Sequence, residues 1–132
     1  MNNISRFVVI DDDPISNTLC KMMINRVIGE IEVRTFTLPD KGFEYISSEY
    51  SKAGFGLHSI ILLDLNMPLM TGWEFLERFE ELDKKIKNQY KIFIHSSSAN
   101  LLDMQRARTY KTVVDYIIKP LTIEKIRLFT GR

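Results

Sequence analysis

Short apolar runs punctuate this chain, and most of them stop abruptly at a polar or charged residue. Phe7-Val8-Val9-Ile10 runs into Asp11-Asp12-Asp13-Pro14, and Ser59-Ile60-Ile61-Leu62-Leu63 runs into Asp64. Continuous apolar runs of this length, rich in β-branched side chains, suit strands buried on both faces of a parallel sheet. Tyr90 to His95 and Val113 to Ile118 read as two further strands, ending at Ser96-Ser97-Ser98 and Lys119-Pro120. Ile31 to Phe36 alternates apolar and polar residues and reads as another.

Helical patterns fill the gaps. Asp13 is placed to cap a helix that has Pro14 as its first residue. Ile15, Leu19, Met22 or Met23, and Val27 recur at helical spacing, and Gly29 is a fair stop. Leu38-Pro39 opens a second helix carrying Phe43, Ile46 and Tyr50. Ser51 to His58, with two glycines, reads as a loop. Thr71 and Glu74 match a capping box ahead of a helix with Phe75, Leu76, Phe79 and Leu82 on its apolar stripe. Ala99 to Tyr110 predicts a weakly amphipathic helix, and Thr122 caps a short last one. Five strand–helix units in succession imply an α/β fold, a doubly wound five-stranded parallel sheet with helices on both faces.

The chain has 132 residues, the size of one domain. With 45% hydrophobic and 27% charged residues it has the composition of a folded globular protein rather than a disordered one. A net charge of +1 gives no overall field favouring nucleic acid or an anionic membrane. One cysteine, Cys20, precludes an intrachain disulfide and fits a reducing compartment. Met1 to Arg6 lacks the apolar stretch of a signal peptide, and no apolar run approaches a membrane span. A cytoplasmic location is the expectation, with no membrane insertion and no direct nucleic-acid contact.

In open α/β sheets, ligands bind beyond the carboxyl ends of the strands. The residues expected there are Asp11 and Asp12, Asp64, Ser96 and Lys119. Three nearby carboxylates resist joint ionisation, and a hard divalent cation relieves the repulsion. Mg²⁺ fits, because it takes a few carboxylates together with water and phosphate oxygens. An aspartate is also a competent nucleophile towards phosphorus. Phosphoryl transfer needs chiefly positioning and charge neutralisation, which Mg²⁺, Lys119 and the Ser96 hydroxyl are suited to supply.

These residues, in this order and spacing, resemble the receiver domains of two-component response regulators. The matching elements are Asp11-Asp12 after the first strand, Leu62-Leu63-Asp64-Leu65-Asn66-Met67-Pro68, Gly72, Ser96 and Lys119-Pro120. The resemblance covers nearly the whole chain and is greatest to stand-alone, chemotaxis-type single-domain receivers. It implies a flavodoxin-like strand order 2-1-3-4-5 and one receiver domain over 1–132 with no output domain. It also implies that Asp64 is the phospho-acceptor and that Mg²⁺ is held by Asp11, Asp12, Asp64 and the backbone carbonyl of Asn66. Ser96 and Lys119 would contact the phosphoryl oxygens, and Tyr116 would be the switch aromatic whose ring turns inward with Ser96. Lys119-Pro120 would often be cis. The implied partners are a sensor histidine kinase or a histidine phosphotransfer protein, and a downstream protein target. The domain would not be an enzyme beyond catalysing its own phosphorylation and dephosphorylation.

Single residues also have plainer readings. Asp13 is a helix cap, Cys20 is core, and His58 and His95 lack the partners of a metal site. His95 departs from the apolar residue usual in the family. Ser98 and Asn66 lie two residues beyond Ser96 and Asp64, where the family tunes dephosphorylation. A Mg²⁺-dependent phosphatase usually carries an acid where this chain has Asn66. A binding module without phosphorylation would have no need of the complete set of groups. Gly54-Phe55-Gly56 lacks the third glycine of a dinucleotide fingerprint and precedes a strand, and no phosphate loop of a flavin carrier follows the first strand.

Overall fold

Every strand of the sheet runs parallel to its neighbours, and alternate side chains supply two separate cores. The computed structural model describes residues 4–53 and 58–131. Met1 to Asn3, Gly54-Phe55-Gly56 and the side chain of Tyr50 lie outside the described residues. The elements follow in the order β1 (Arg6–Ile10), α1 (Pro14–Ile28), β2 (Glu32–Phe36), α2 (Pro39–Ala53), β3 (Ser59–Leu63), α3 (Gly72–Glu80), α4 (Lys84–Lys87), β4 (Tyr90–Ser96), α5 (Leu101–Ala107), β5 (Val113–Ile118) and α6 (Ile123–Thr130). The strand order is β2-β1-β3-β4-β5. In β1, Ile10 aligns with Phe36 of β2 and Leu63 of β3, so Asp11 and Asp64 leave the sheet at the same level.

All residues of β1 and β3 are buried, as strands covered on both sides must be. Val8, Ile10, Ile61, Leu63, Ile92 and Ile94 pack against Ile46 of α2 and Phe75, Leu76 and Phe79 of α3. Phe7, Val9, Ile60, Leu62, Phe93 and Ile117 pack on the other face against Cys20 and Ile24 of α1 and Ile126 of α6. Each such fully buried side chain contributes roughly 1.5–3 kcal/mol of transfer free energy. Among the described residues no helix is long and apolar enough to cross a membrane.

The helix starts follow the caps legible in the chain. The Asp13 carboxylate accepts the Ile15 N–H at 2.9 Å with Pro14 as the first helical residue. Thr71 and Glu74 form the reciprocal capping box of α3, and the Thr122 hydroxyl accepts the Lys125 N–H at 3.2 Å. The buried face of α1 differs from the stripe expected. Ile15, Leu19 and Met22 are more than half exposed, while Cys20 and Ile24 are buried, with Met23 and Val27 half-buried beside them. The core-facing line thus runs one position away from Leu19, through residues four apart. Helix α2 continues to Ala53, past the expected loop start at Ser51. Helix α3 stops at Glu80, and Asp83 caps the extra turn α4, although Leu82 still packs on the core. Helix α5 starts later than expected because the Asn100 side chain caps it, accepting the Leu102 N–H at 2.8 Å.

Candidate functional site

The carboxyl edge of the sheet gathers the acidic residues. Asp11 follows β1 and is 1% exposed, and Asp64 follows β3 and is 6% exposed. Asp12 is exposed. One oxygen from each of these three carboxylates lies within 4.8 Å of the others. Backbone bonds fix the two loops that carry them. The Asp11 N–H donates to the Phe36 carbonyl at 3.1 Å, and the Asp64 N–H donates to the Ile10 carbonyl at 3.0 Å.

Lys119 reaches into this cluster from the end of β5. Its Nζ donates to Asp11 Oδ2 at 2.7 Å and stands 3.7 Å from Asp64 Oδ2. Asp11 Oδ2 also accepts from the Ser16 hydroxyl at 2.8 Å, and Asp11 Oδ1 accepts the Asp13 N–H at 3.0 Å. Burial acts to raise the Asp11 carboxyl, but the Lys119 ammonium, the Asp13 N–H and the Ser16 hydroxyl outweigh it and hold the group below its ordinary value. Burial likewise opposes the charge on Lys119, yet its bond to Asp11 and the charge of Asp64 raise its pKa above the usual.

Asp64 behaves differently. Burial, reinforced by the negative charge of Asp11, pushes its carboxyl up to about 6 against the pull of Lys119 and of the Asn66 and Leu65 N–H groups. Two neighbouring carboxylates in one pocket thus have opposed acidities. That is the signature of a crowded anionic site short of positive charge. An all-oxygen set at this spacing suits a hard divalent cation.

Ser96 ends β4 with no exposure, and its hydroxyl accepts the Ser98 N–H at 3.2 Å. Tyr116, in β5, is buried, and its hydroxyl donates to the Ser98 carbonyl at 2.8 Å. The Ser98 hydroxyl donates to Asp103 of α5 at 2.9 Å and accepts the Asn100 N–H at 3.2 Å. Lys119-Pro120 is cis, and the Lys119 N–H donates to the Ser96 carbonyl at 2.8 Å. Asn66 is exposed on the Asp64 loop.

Gly72 closes the site from below. Its N–H donates to the Leu65 carbonyl at 2.9 Å, and a Cβ here would sit 2.5 Å from the Asp64 carbonyl oxygen. Only glycine allows α3 to start so close to the Asp64 loop.

Cys20 lies in the core as its plain reading predicts, and His95 is buried beside it, whereas His58 is exposed. His95 Nδ1 lies 3.9 Å from Cys20 Sγ. Burial, with the nearby Lys119 charge, lowers the imidazole to about 4, and burial, with the charge of Asp11, pushes the thiol up to about 12. Sequence reasoning missed Ser16, and also Asn17, whose buried amide donates to the Asp11 carbonyl at 3.0 Å. The only signal for either was a polar residue in the first turn of α1, facing back towards the acidic loop.

A doubly wound parallel sheet with three carboxylates and an ammonium converging at its carboxyl edge defines the fold and site of a phospho-acceptor domain. Comparison with known proteins gives the family. Residues 7–129 match the response regulator receiver domain family. The chain belongs to this family, and the pocket of Asp11, Asp12 and Asp64 fits its phospho-acceptor site. It is 27% identical over 127 residues to the probable C4-dicarboxylate response regulator DctR of Halalkalibacterium halodurans, covering 92% of this chain and 48% of that protein. The chain therefore spans about half the length of that curated relative. It is 28% identical, with a TM-score of 0.87, to a two component response regulator from Cytophaga hutchinsonii, covering 98% of this chain and 96% of that one. A response regulator receiver protein from Dyadobacter fermentans shares the fold at a TM-score of 0.83 and 24% identity, covering 96% of this chain and 95% of that one.

Proposed function

We propose that Asp64 accepts a phosphoryl group from the phosphohistidine of a sensor histidine kinase or a histidine phosphotransfer protein. The observation that carries this reading is the pairing of Asp64 with Lys119, 3.7 Å away, in a pocket whose other carboxylates can hold a cation. An Asp64 carboxylate oxygen attacks phosphorus, and a P–O bond forms. The P–N bond to the donor imidazole breaks, and its electron pair returns to the ring nitrogen. The product is an aspartyl phosphate.

Mg²⁺ would be held by Asp11, Asp12, Asp64 and the Asn66 carbonyl, and would supply positive charge towards the phosphoryl oxygens. The chain's own groups do the rest. Lys119 sits close enough to Asp64 to pair with a phosphoryl oxygen without leaving its loop. Ser96 uses its hydroxyl oxygen to accept the Ser98 N–H, which leaves its O–H proton for a phosphoryl acceptor. Ser98 links that hydroxyl, the Tyr116 hydroxyl and the start of α5. New contacts at Ser96 therefore bias the β4–α5 loop and the Tyr116 ring together, shifting the population of the surface seen by a target protein. The domain acts as a switch and turns over no substrate beyond its own phosphoryl group.

The test is incubation with a small phosphodonor and Mg²⁺. Wild type should take up acid-labile label that alkali also releases, whereas Asp64→Asn should not; an unlabelled wild type or equal labelling of the two removes the reading.

A further inference from the structure

Lys125 stands where helix electrostatics disfavour a cation. It lies in the first turn of α6, the positive end of the helix dipole. Its ammonium is nevertheless held at two points. Nζ donates to the Ile118 carbonyl at 2.6 Å and to the Pro120 carbonyl at 3.0 Å. These are the carbonyls immediately before and after Lys119. A solvated surface lysine has no reason to bracket one residue in this way, and bonds from a charged donor are the stronger kind.

The bracketed residue needs support. Ile118 is the last residue of β5, the edge strand, so the chain leaves the sheet at Lys119. The Lys119 N–H is tied to the Ser96 carbonyl at 2.8 Å, and its side chain turns into the acidic pocket. Among the described bonds, those from Lys125 are the ones that grip this segment from the α6 side.

We propose that Lys125 is a positioning residue for phosphoryl transfer, clamping the Ile118 and Pro120 carbonyls so that the Lys119 ammonium stays beside Asp64. This rests on the reading of Asp64 as phospho-acceptor. Without the clamp, among the described hydrogen bonds, the backbone on either side of Lys119 keeps its tether to the Ser96 carbonyl, and the ammonium is held by its bond to Asp11 alone. A misplaced ammonium costs rate rather than donor affinity.

The test measures phosphorylation by acetyl phosphate with Mg²⁺, as rate against donor concentration, in wild type, Lys125→Met, Lys125→Arg, Lys119→Met and the Lys119→Met/Lys125→Met double variant. Lys125→Met should lower the saturating rate about tenfold with the half-saturating donor concentration little changed. Lys125→Arg, which keeps a cation with donors, should stay within about threefold of wild type. In the Lys119→Met background the second substitution should change the rate less than about twofold. A Lys125→Met rate within about twofold of wild type overturns the proposal. So does an equal loss with and without Lys119, or a Lys125→Arg rate as low as that of Lys125→Met. Wild type that takes up no phosphoryl group sinks the acceptor reading itself, a result distinct from a labelled wild type with an unaffected Lys125→Met. Should Lys125→Met fail to fold, Lys125→Gln, which keeps a donor and loses the charge, takes its place under the same criteria.

Discussion

Replacing Gly72 with alanine sets two effects of opposite sign against each other. By local propensity alone, alanine at a helical position is better than glycine by roughly 0.5–1 kcal/mol, so the substitution should stabilise α3. The site says otherwise. The new Cβ would lie 2.5 Å from the Asp64 carbonyl oxygen, 2.8 Å from Leu65 Cα and 3.1 Å from Leu65 Cδ2. Two of these three atoms are backbone, so no rotamer change relieves them. Overpacking of this kind costs typically 1–3 kcal/mol, and backbone obstruction belongs in the upper half of that range. The net expectation is a loss of about 1–2.5 kcal/mol, or roughly 3–10 °C in melting temperature for a domain of this size. Urea unfolding followed by circular dichroism measures it. The carbonyl under pressure belongs to Asp64, so the phosphorylation rate should also fall by at least about tenfold. A Gly72→Ala protein as stable as wild type or more so, with an unchanged rate, would refute the close packing of α3 on the acceptor loop.

Other substitutions probe other parts. His95 is neutral in the fold to about pH 4 but to 6.5 when unfolded, so its stability contribution is complete above 6.5 and is lost as pH falls towards 4. At about 1.4 kcal/mol per unit this amounts to about 3.5 kcal/mol. Asp64, raised to about 6, acts in the opposite sense between pH 6 and 3.8, so the loss should show in Asp64→Asn and flatten in Asp64→Asn/His95→Leu. Chemical denaturation at stepped pH in chelator is the assay, and a flat Asp64→Asn profile contradicts it. Mg²⁺ added to chelated wild type should raise the melting temperature, by the equivalent of about 2.7 kcal/mol at a hundred times its dissociation constant. Asp12→Ala, at an exposed position, should blunt that rise without lowering the metal-free melting point; an undiminished rise would remove Asp12 from the ligand set. Thr71→Ala breaks the capping box of α3 and should cost about 1 kcal/mol in urea unfolding.

Much of this arrangement was legible in the chain because it depends on short-range rules. Phe7 to Ile10 and Ser59 to Leu63 read as doubly covered strands through their short, β-branched apolar runs, and a doubly covered strand delivers the residue after it to the carboxyl edge. Asp13-Pro14 and Thr71 with Glu74 marked helix starts through their own side chains. What escaped depends on contacts no spacing encodes. Ile15, Leu19 and Met22 form a fair helical stripe, yet a line through Cys20 and Ile24 fits α1 as well, and only the sheet beneath decides between them. The Asn100 cap competed with Ala99 for the start of α5, and its side chain won. Ser16, Asn17 and Lys125 read as ordinary polar helix residues until the acidic loop and the β5–α6 turn are brought beside them.

The most direct measurement is chemical mapping of the phosphoryl group. Borohydride reduces an acyl phosphate to the corresponding alcohol, so peptide mass analysis of phosphodonor-treated, reduced protein reads out the modified side chain. With Asp64 as nucleophile, homoserine appears at position 64 and nowhere else, and only when donor and Mg²⁺ were both present. Modification at Asp11, Asp12 or Ser96, or an unmodified chain under those conditions, would contradict it.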